Sequence, residues 1–384
     1  MRIALVSDTF TPQVNGVTTV CRRIVQTVRD AGHTAVVVAP AYPDWPSGTR
    51  EDELRIPSLP FPPYPHIRLS LPYRRRVFEF LDRVQPDVIH VAVEGPLGVM
   101  GRRYALQRGV PLVTSYHTNF PQYAADYGAG LLSPLVWRWL VRFHRAARLT
   151  QTPGDEVRDE LVRRGVPRAV VWGRGVDALQ FHPNRADPVY RRSLTGGQDS
   201  VVVLHVGRLA AEKNLAVLAE AWTRTHQALG RRATFVIAGE GPYLPRLIAQ
   251  IPFARRLGFL DRATLATLYA SADLCVLPSF SETCGLVALE AMASGLPVIA
   301  ADAGGLRESV RHGENGLLAP PHDAGAFAAA IIELVNDAER RRALGIAARG
   351  TALARGVATE NAELLAQYAS VLDGQEQERA TCAA

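Results

Sequence analysis

The chain has 384 residues, 47% of them hydrophobic, more than one ordinary core holds and enough for two domains of nearly equal size. No run of eighteen apolar residues occurs, which excludes a spanning helix. Four cysteines, Cys21, Cys275, Cys284 and Cys382, follow no metal or disulfide spacing, so a reducing, cytoplasmic setting is expected.

The net charge of +6 is unevenly placed. Residues 1–184 carry 23 Arg against 16 Asp and Glu, while residues 185–384 carry 20 Lys and Arg against 21 acids. A basic first half favours anionic partners: phosphorylated substrates, anionic lipid or nucleic acid.

Taken in order, MRIALVSDTF opens directly on a strand, Arg2–Val6, without the apolar core of a signal peptide. SDTFTPQVNG is a turn-rich loop ending at Asn15-Gly16, where a glycine lets backbone approach a ligand. A helix to Asp30 and a strand at Thr34–Val38 follow, with no GxGxxG dinucleotide fingerprint. Residues 40–72, dense in proline and aromatics, read as irregular with a short strand near Arg55-Ile56. A helix at Tyr73–Val84 is headed by Arg74, Arg75 and Arg76.

Strands are then expected at Pro86–Val91, Pro111–Tyr116, Arg148–Thr152 and Ala169–Trp172, and helices at Pro96–Arg108, Pro134–Ala147 and Gly154–Arg164. Such alternation implies a parallel sheet with helices on both faces and ligands at the strands' carboxyl ends. His117 lies at such an end beside Thr118 and Asn119; a binding role and a structural one are both open. In the helix at 134–147, Trp137, Trp139 and Phe143 interleave with Arg138, Arg142 and Arg145. That pattern suits a lipid headgroup interface, or else core tryptophans with solvated arginines.

Asn184–Asp199 is polar and reads as a linker. The second domain starts with the strand Val201–Val206, and its loop to the next helix holds Arg208 and Lys213. Lys213 is the only lysine among 43 basic residues. Retaining it in an Arg-using chain points to a site that needs a compact ammonium near a helix start, as an anion would. The strand Leu274–Leu277 leads into SETCGLVALEAMASG, a loop and helix. Glu282 sits before that helix, where amides are unpaired, and Glu290 lies in its second turn beside the apolar positions Leu286, Leu289 and Ala293. Two carboxylates with amides between them suit a ligand offering hydroxyls at two ends and a phosphate in the middle. Helices at 324–336, 338–349 and 361–372 follow, and then a frayed tail.

Glu282, seven intervening residues and Glu290, within FGLVxLEAMAxGxPV bearing Cys284 for the usual Phe, resemble the motif of the retaining glycosyltransferase family 4. The resemblance runs from about Ile3 to Leu372. SDTFTPQVNGV and SYHTNFPQYAADYG look most like bacterial GDP-mannose-dependent α-mannosyltransferases acting on lipids, and like the UDP-sugar-using sulfoquinovosyl diacylglycerol synthases. It implies the GT-B fold: two α/β, Rossmann-like, doubly wound domains facing across a cleft. The division expected is 1–184 for the acceptor, 185–200 as linker, 201–357 for the donor, a returning helix at 358–373 and a tail at 374–384.

The resemblance further implies a catalytic set of His117, Arg208, Lys213 and Glu282. It assigns donor contacts to Gly16, Arg208, Lys213, Gly258, Glu282, Thr283, Cys284, Gly285, Leu286, Val287 and Glu290. The acceptor side would hold Asn15, Gly16, Tyr116 and Asn119. Glu94-Gly95-Pro96-Leu97-Gly98 also matches a segment of the family. The expected activity is hexosyl transfer, most simply mannosyl from GDP-mannose, to a lipid at the inner face of the cell membrane. No cofactor, metal or nucleic acid is expected. Rival readings are a UDP-sugar donor, a soluble acceptor, a sugar-nucleotide epimerase and a polyanion-binding module.

Overall fold

The computed structural model describes residues 1–13, 15–61, 64–117, 133–173, 175–282 and 284–383, with backbone alone at 61, 64–67 and 375–383. The chain forms two compact units. The first is Met1–Gly173 with Glu360–Ala384, and the second is Arg174–Thr359.

In the first unit the strands are β1 (Arg2–Val6), β2 (Thr34–Pro40), β3 (Gly48-Thr49), β4 (Glu53–Ile56), β5 (Ser58–Phe61), β6 (Tyr64–Ser70), β7 (Val88–Val91), β8 (Leu112–Ser115), β9 (Leu149–Thr152) and β10 (Ala169–Val171). The helices are α1 (Gly16–Asp30), α2 (Arg74–Val84), α3 (Pro96–Arg108), α4 (Ser133–His144) and α5 (Asp155–Arg163). Among the described residues one sheet runs β10-β9-β8-β7-β1-β2-β4-β3, parallel except for β3 on β4. The segment 40–72 is more ordered than its composition suggests, because β4 joins β2 in parallel and β5 pairs with β6 as a hairpin. Proline masks both, being tolerated at an edge or outside the main sheet. Alternate residues feed two cores. Ile3, Leu5 and Val37 pack with α1, while Ala4, Val6 and Val36 pack with α2, α3 and the end of α4.

The second unit holds α6 (Pro188–Thr195), β11 (Val201–Val206), α7 (Leu215–Leu229), β12 (Ala233–Ala238), α8 (Leu244–Gln250), β13 (Arg255-Arg256), α9 (Arg262–Ser271), β14 (Leu274–Leu277), α10 (Leu286–Ala293), β15 (Val298–Ala301), α11 (Gly304–Ser309), β16 (Gly316–Ala319), α12 (Ala324–Asn336) and α13 (Ala338–Leu353). Its parallel sheet runs β13-β12-β11-β14-β15-β16. The expected linker at 185–200 is corrected by this structure. Asp187 caps α6, accepting from the Val189 and Tyr190 amides at 2.8 and 3.2 Å, and Arg191 binds Asp273 at 2.8 Å. The change of unit falls at Gly173, not at 184. Polar composition signals solvent exposure, and a surface helix has that too.

The expected returning helix is α14 (Val357–Ala383), which runs on through the segment expected as a frayed tail. Within the first unit its residues Leu364, Tyr368 and Val371 are buried against β1 and α1. A directional hydrogen-bond chain fastens it. Ser115 donates to Gln151 Oε1 at 3.1 Å and Gln151 donates to Gln367 Oε1 at 2.7 Å. His90 therefore donates from Nε2 to Ser115 Oγ at 2.7 Å and accepts at Nδ1 from the Tyr368 hydroxyl at 2.6 Å. The chain begins and ends on α14. Burial pushes the His90 imidazole down to about 3, which keeps it neutral.

Candidate active site

In the second unit β11 lies between β12 and β14, so the loops after β11 and β14 leave the sheet side by side. This is the switch point where doubly wound sheets bind ligands. The first loop tightens into a 3-10 turn, Ala211–Lys213, and ends at Asn214 with φ +54. Asn214 Nδ2 donates to the Pro278 and Pro321 carbonyls at 3.1 and 2.5 Å. Ser281 Oγ donates to the Glu212 carbonyl at 3.1 Å. So laced, the two loops bring Lys213 Nζ to 2.5 Å from Glu282 Oε1.

The backbone of Glu282 is pinned from the far side. Its carbonyl accepts from the Gly305 amide at 2.7 Å, and a Cβ on Gly304 would lie 2.7 Å from the same oxygen. Only glycine fits there, at φ +53. Gly285, at φ +68, then turns the chain into α10. The first-turn amides of Leu286 and Val287 thus open the helix without intrahelical acceptors.

Burial, the largest influence, works to raise the Glu282 carboxyl, but the Lys213 ammonium together with Arg208 and His205 holds the group below the ordinary glutamate range. Arg208 bonds Glu212 at 2.5 Å, and Glu212 is buried. The sequence led us to expect two cations aimed together at an anion. The structure instead pairs each with a carboxylate, and Glu212 is the partner that sequence reasoning missed. Its spacing of four from Arg208 was the available signal. Under Lys213 and Glu282 lies His205, whose Nδ1 donates to the Val276 carbonyl at 2.9 Å. Burial pushes its imidazole down to about 4. Its Nε2 is a buried atom without a hydrogen-bond partner among the described residues.

Glu290, expected in the second turn, has a side chain only 14% exposed, and Arg262 Nη1 stands 3.4 Å from its Oε1. Cys284 is half-buried, and Gly258, at φ +67, accepts from the Gly239 amide at 2.8 Å. Thr283 lies outside the described residues. Among the described residues no three His, Cys, Asp or Glu side chains are grouped to hold a metal ion.

The first unit has its own switch point at β1, between β2 and β7. Asn15 caps α1 there, accepting from the Thr18 amide at 2.8 Å and donating to Thr9 Oγ1 at 3.0 Å, and Gly16 is the first helical residue. Tyr116 is buried and stacks on Trp137 at 6.3 Å. Burial and nearby His144 push the His117 imidazole down to about 4. Asn119 lies outside the described residues. A buried polar set surrounds this point, of which sequence reasoning named Glu94 but not Asp8 or His144. Asp8 accepts from the Leu97 and Gly98 amides at 2.9 and 3.1 Å. His144 stands 2.9 Å from both Glu94 Oε1 and Thr114 Oγ1. Burial raises the Asp8 carboxyl to about 6 against those two amide bonds. His144 shows in the sequence only as one more helix residue.

Two doubly wound units, the second with an ammonium–carboxylate pair and a helix start at its switch point, define a glycosyltransferase of the GT-B architecture. Solved structures agree on the fold. HepE of Anabaena in complex with UDP-glucose aligns with a TM-score of 0.77 at 22% identity, covering 96% of this chain and 100% of that one. Sucrose-phosphate synthase of Thermosynechococcus elongatus gives 0.76 at 21%, covering 97% and 99%.

The chain belongs to glycosyltransferase family 4. Residues 14–179 match the model described as Glycosyltransferase Family 4, and residues 200–337 match Glycosyl transferases group 1. It is 38% identical over 379 residues to the GDP-mannose-dependent alpha-mannosyltransferase of Mycolicibacterium smegmatis, covering 97% of this chain and 98% of that one. It is 34% identical to the sulfoquinovosyl transferase SQD2 of Arabidopsis thaliana, covering 85% and 65%. It is accordingly a hexosyltransferase that uses a nucleotide sugar.

Proposed function

We propose that the enzyme transfers mannose from GDP-mannose, with retained anomeric configuration, to a lipid acceptor at the cytoplasmic membrane surface. The observation that carries the donor half is the Lys213–Glu282 pair at 2.5 Å beside the start of α10. Charge growing on the leaving β-phosphate is stabilised by Arg208, Lys213 and the α10 amides, and stabilisation of this kind commonly contributes most to catalysis. Glu282 takes the sugar hydroxyls, Glu290 the ribose, and His117 is assigned to the transferred sugar. No side chain acts as nucleophile; the departing phosphate helps deprotonate the acceptor. Arg208 and Lys213 supply the positive charge that a metal would otherwise bring. Similarity over nearly full length to GDP-mannose-dependent enzymes supports the base and sugar. Similarity to the sulfoquinovosyl transferase favours a UDP-sugar as second reading.

The acceptor half rests on the outer face of the first unit. Helices α2, α3 and α4 contribute to one core on one side of the sheet. Outward they expose Tyr73 and Arg74–Arg76, then Val99, Arg103 and Leu106, then Leu135, Arg138, Trp139 and Arg142. Neither α3 nor α4 contains an acidic residue. Exposed apolar side chains set among arginines suit an anionic headgroup layer, at about 1 kcal/mol per basic residue. Trp137 is committed inward, stacked on Tyr116 with Arg164 over it at 4.0 Å. No helix among the described residues is long and apolar enough to cross a membrane.

Incubation of the purified enzyme with GDP-mannose or UDP-hexoses and a lipid extract, read by mass spectrometry, tests the substrates. Mannosyl lipid formed from GDP-mannose is the expected product, and transfer from UDP-sugars alone overturns the donor. An epimer formed from donor alone would mark an epimerase. Co-sedimentation with vesicles tests the surface: binding should rise with anionic lipid and fall with salt. Absence of binding at low salt would leave a soluble acceptor as the better reading.

A further inference from the structure

Glu290 stands in a helix whose other residues are Leu, Val, Ala and Met, and its own side chain is only 14% exposed. A carboxylate so placed requires charged or hydrogen-bonding company to stay ionised. The company comes from outside its own helix. Arg262, the first residue of α9, extends Nη1 to 3.4 Å from Glu290 Oε1.

Arg262 is itself held in place. Its Nε donates to Gln180 Oε1 at 3.1 Å, and its guanidinium lies over the Phe181 ring at 5.0 Å from the centroid. Phe181 is fully buried and meets Tyr269 edge-on, with centroids 5.8 Å apart. Tyr269 follows Arg262 by seven residues on α9, so both project from one face of that helix. Its buried phenol is raised by desolvation and then by the charge of Glu290, which places that carboxylate beside it. At the start of α9, Asp261 accepts from the Ala263 and Thr264 amides at 2.9 and 3.0 Å, which fixes the turn from which Arg262 departs. The turn before α6, α9 and α10 thus converge on one carboxylate, all within the second unit.

We propose that Arg262 is a positioning residue: it keeps Glu290 ionised and aimed as the acceptor for the vicinal diol of the donor's ribose. The proposal rests on reading Glu290 as the ribose contact. An ionised carboxylate accepts from two hydroxyls at once, whereas a protonated one must spend an oxygen on its own proton. A rotamer fixed before binding spares the ordering cost at the moment of binding. Arg262 suits the task because a planar guanidinium can stack on Phe181, bond Gln180 and face Glu290 simultaneously, which a lysine cannot.

The test compares the affinity, by calorimetry, of GDP or UDP, whichever binds more tightly, with that of its 2′,3′-dideoxy analogue. Wild type, Arg262→Ala, Arg262→Lys and Glu290→Gln are measured. Arg262→Ala should weaken the ribonucleotide about fivefold and leave the dideoxy form within about twofold, so that discrimination collapses. Donor KM should rise with kcat little changed, and Arg262→Lys should fall between wild type and alanine. Discrimination retained in Arg262→Ala but lost in Glu290→Gln overturns the proposal and leaves the ribose reading standing. Discrimination retained in Glu290→Gln removes the ribose reading, and the proposal with it. Equal weakening of both nucleotides by Arg262→Ala means the residue acts elsewhere, and also overturns it. Arg262→Lys, which keeps the charge and the stem, serves if the alanine variant fails to fold.

Discussion

Replacing Lys213 by Ala removes the ammonium that stands 2.5 Å from Glu282. A unit charge about 4 Å from a phosphate is worth about 4 kcal/mol at an effective dielectric of 20. The adjacent Glu282 charge opposes part of this, and Arg208 remains. A loss of about 2.7 kcal/mol is left, or about 100-fold in turnover. There is a second consequence. With the ammonium gone, burial is left to act on Glu282 and its carboxyl rises, so the acid limb of the activity profile should move to higher pH. Leaving a partly buried carboxylate without its cation should also lower stability by about 1–3 kcal/mol. The assay is sugar transfer at saturating donor, with thermal unfolding to confirm that the variant is folded. Because the two residues act as a pair, Lys213→Ala combined with Glu282→Gln should lose less than the product of the single losses. Turnover of folded Lys213→Ala within about threefold of wild type would refute the assignment.

Glu282→Gln should lower transfer while leaving nucleoside diphosphate affinity nearly intact, and Glu290→Gln should weaken that affinity; calorimetry showing the reverse would mean the roles are exchanged. Activity should survive a chelator, since the chain has no Asp-x-Asp pair and Arg208 and Lys213 already supply positive charge. Loss in EDTA restored by magnesium or manganese would contradict this. Stability should fall on acidification below about pH 6.5. His90, His117 and His205 are buried neutral, with pKa values pushed down to about 3, about 4 and about 4, so the unfolded chain takes up three protons that the folded one refuses. Asp8, raised to about 6, works in the opposite sense between there and its ordinary value. A net difference of two protons, or about 2.7 kcal/mol per pH unit, remains between about pH 6 and pH 4. Melting temperatures flat between pH 7 and pH 5 would be inconsistent with it.

Much of the candidate site was visible in the sequence because it is local. Glu282, Gly285 and Glu290 share one loop and helix, and a solitary lysine in an Arg-rich chain is conspicuous without coordinates. What the sequence withheld is adjacency across the sheet. Lys213 meets Glu282 because β14 pairs with β11, a neighbour relation set by strand order. The same holds for Arg262 with Glu290 and for His144 with Glu94, whose partners lie 28 and 50 positions away. Apolar periodicity located the main strands well. It passed over β5 and β6, where proline hides the pattern, and over α6, whose polar face resembles a linker.

The last helix carries one more implication, for biosynthesis. The first unit's sheet is complete by Val171, yet its hydrogen-bond chain through His90, Ser115 and Gln151 closes only on Gln367 and Tyr368. During translation those polar side chains therefore wait, unsealed, until Gln367 and Tyr368 have emerged behind the whole of the second unit. The second unit, Arg174–Thr359, is contiguous and needs no such delay. Synthesis order and completion order are inverted: the part made first is finished last. A stop codon anywhere between Thr359 and Tyr368 would leave the second unit its full sequence and the first unit with an open seam.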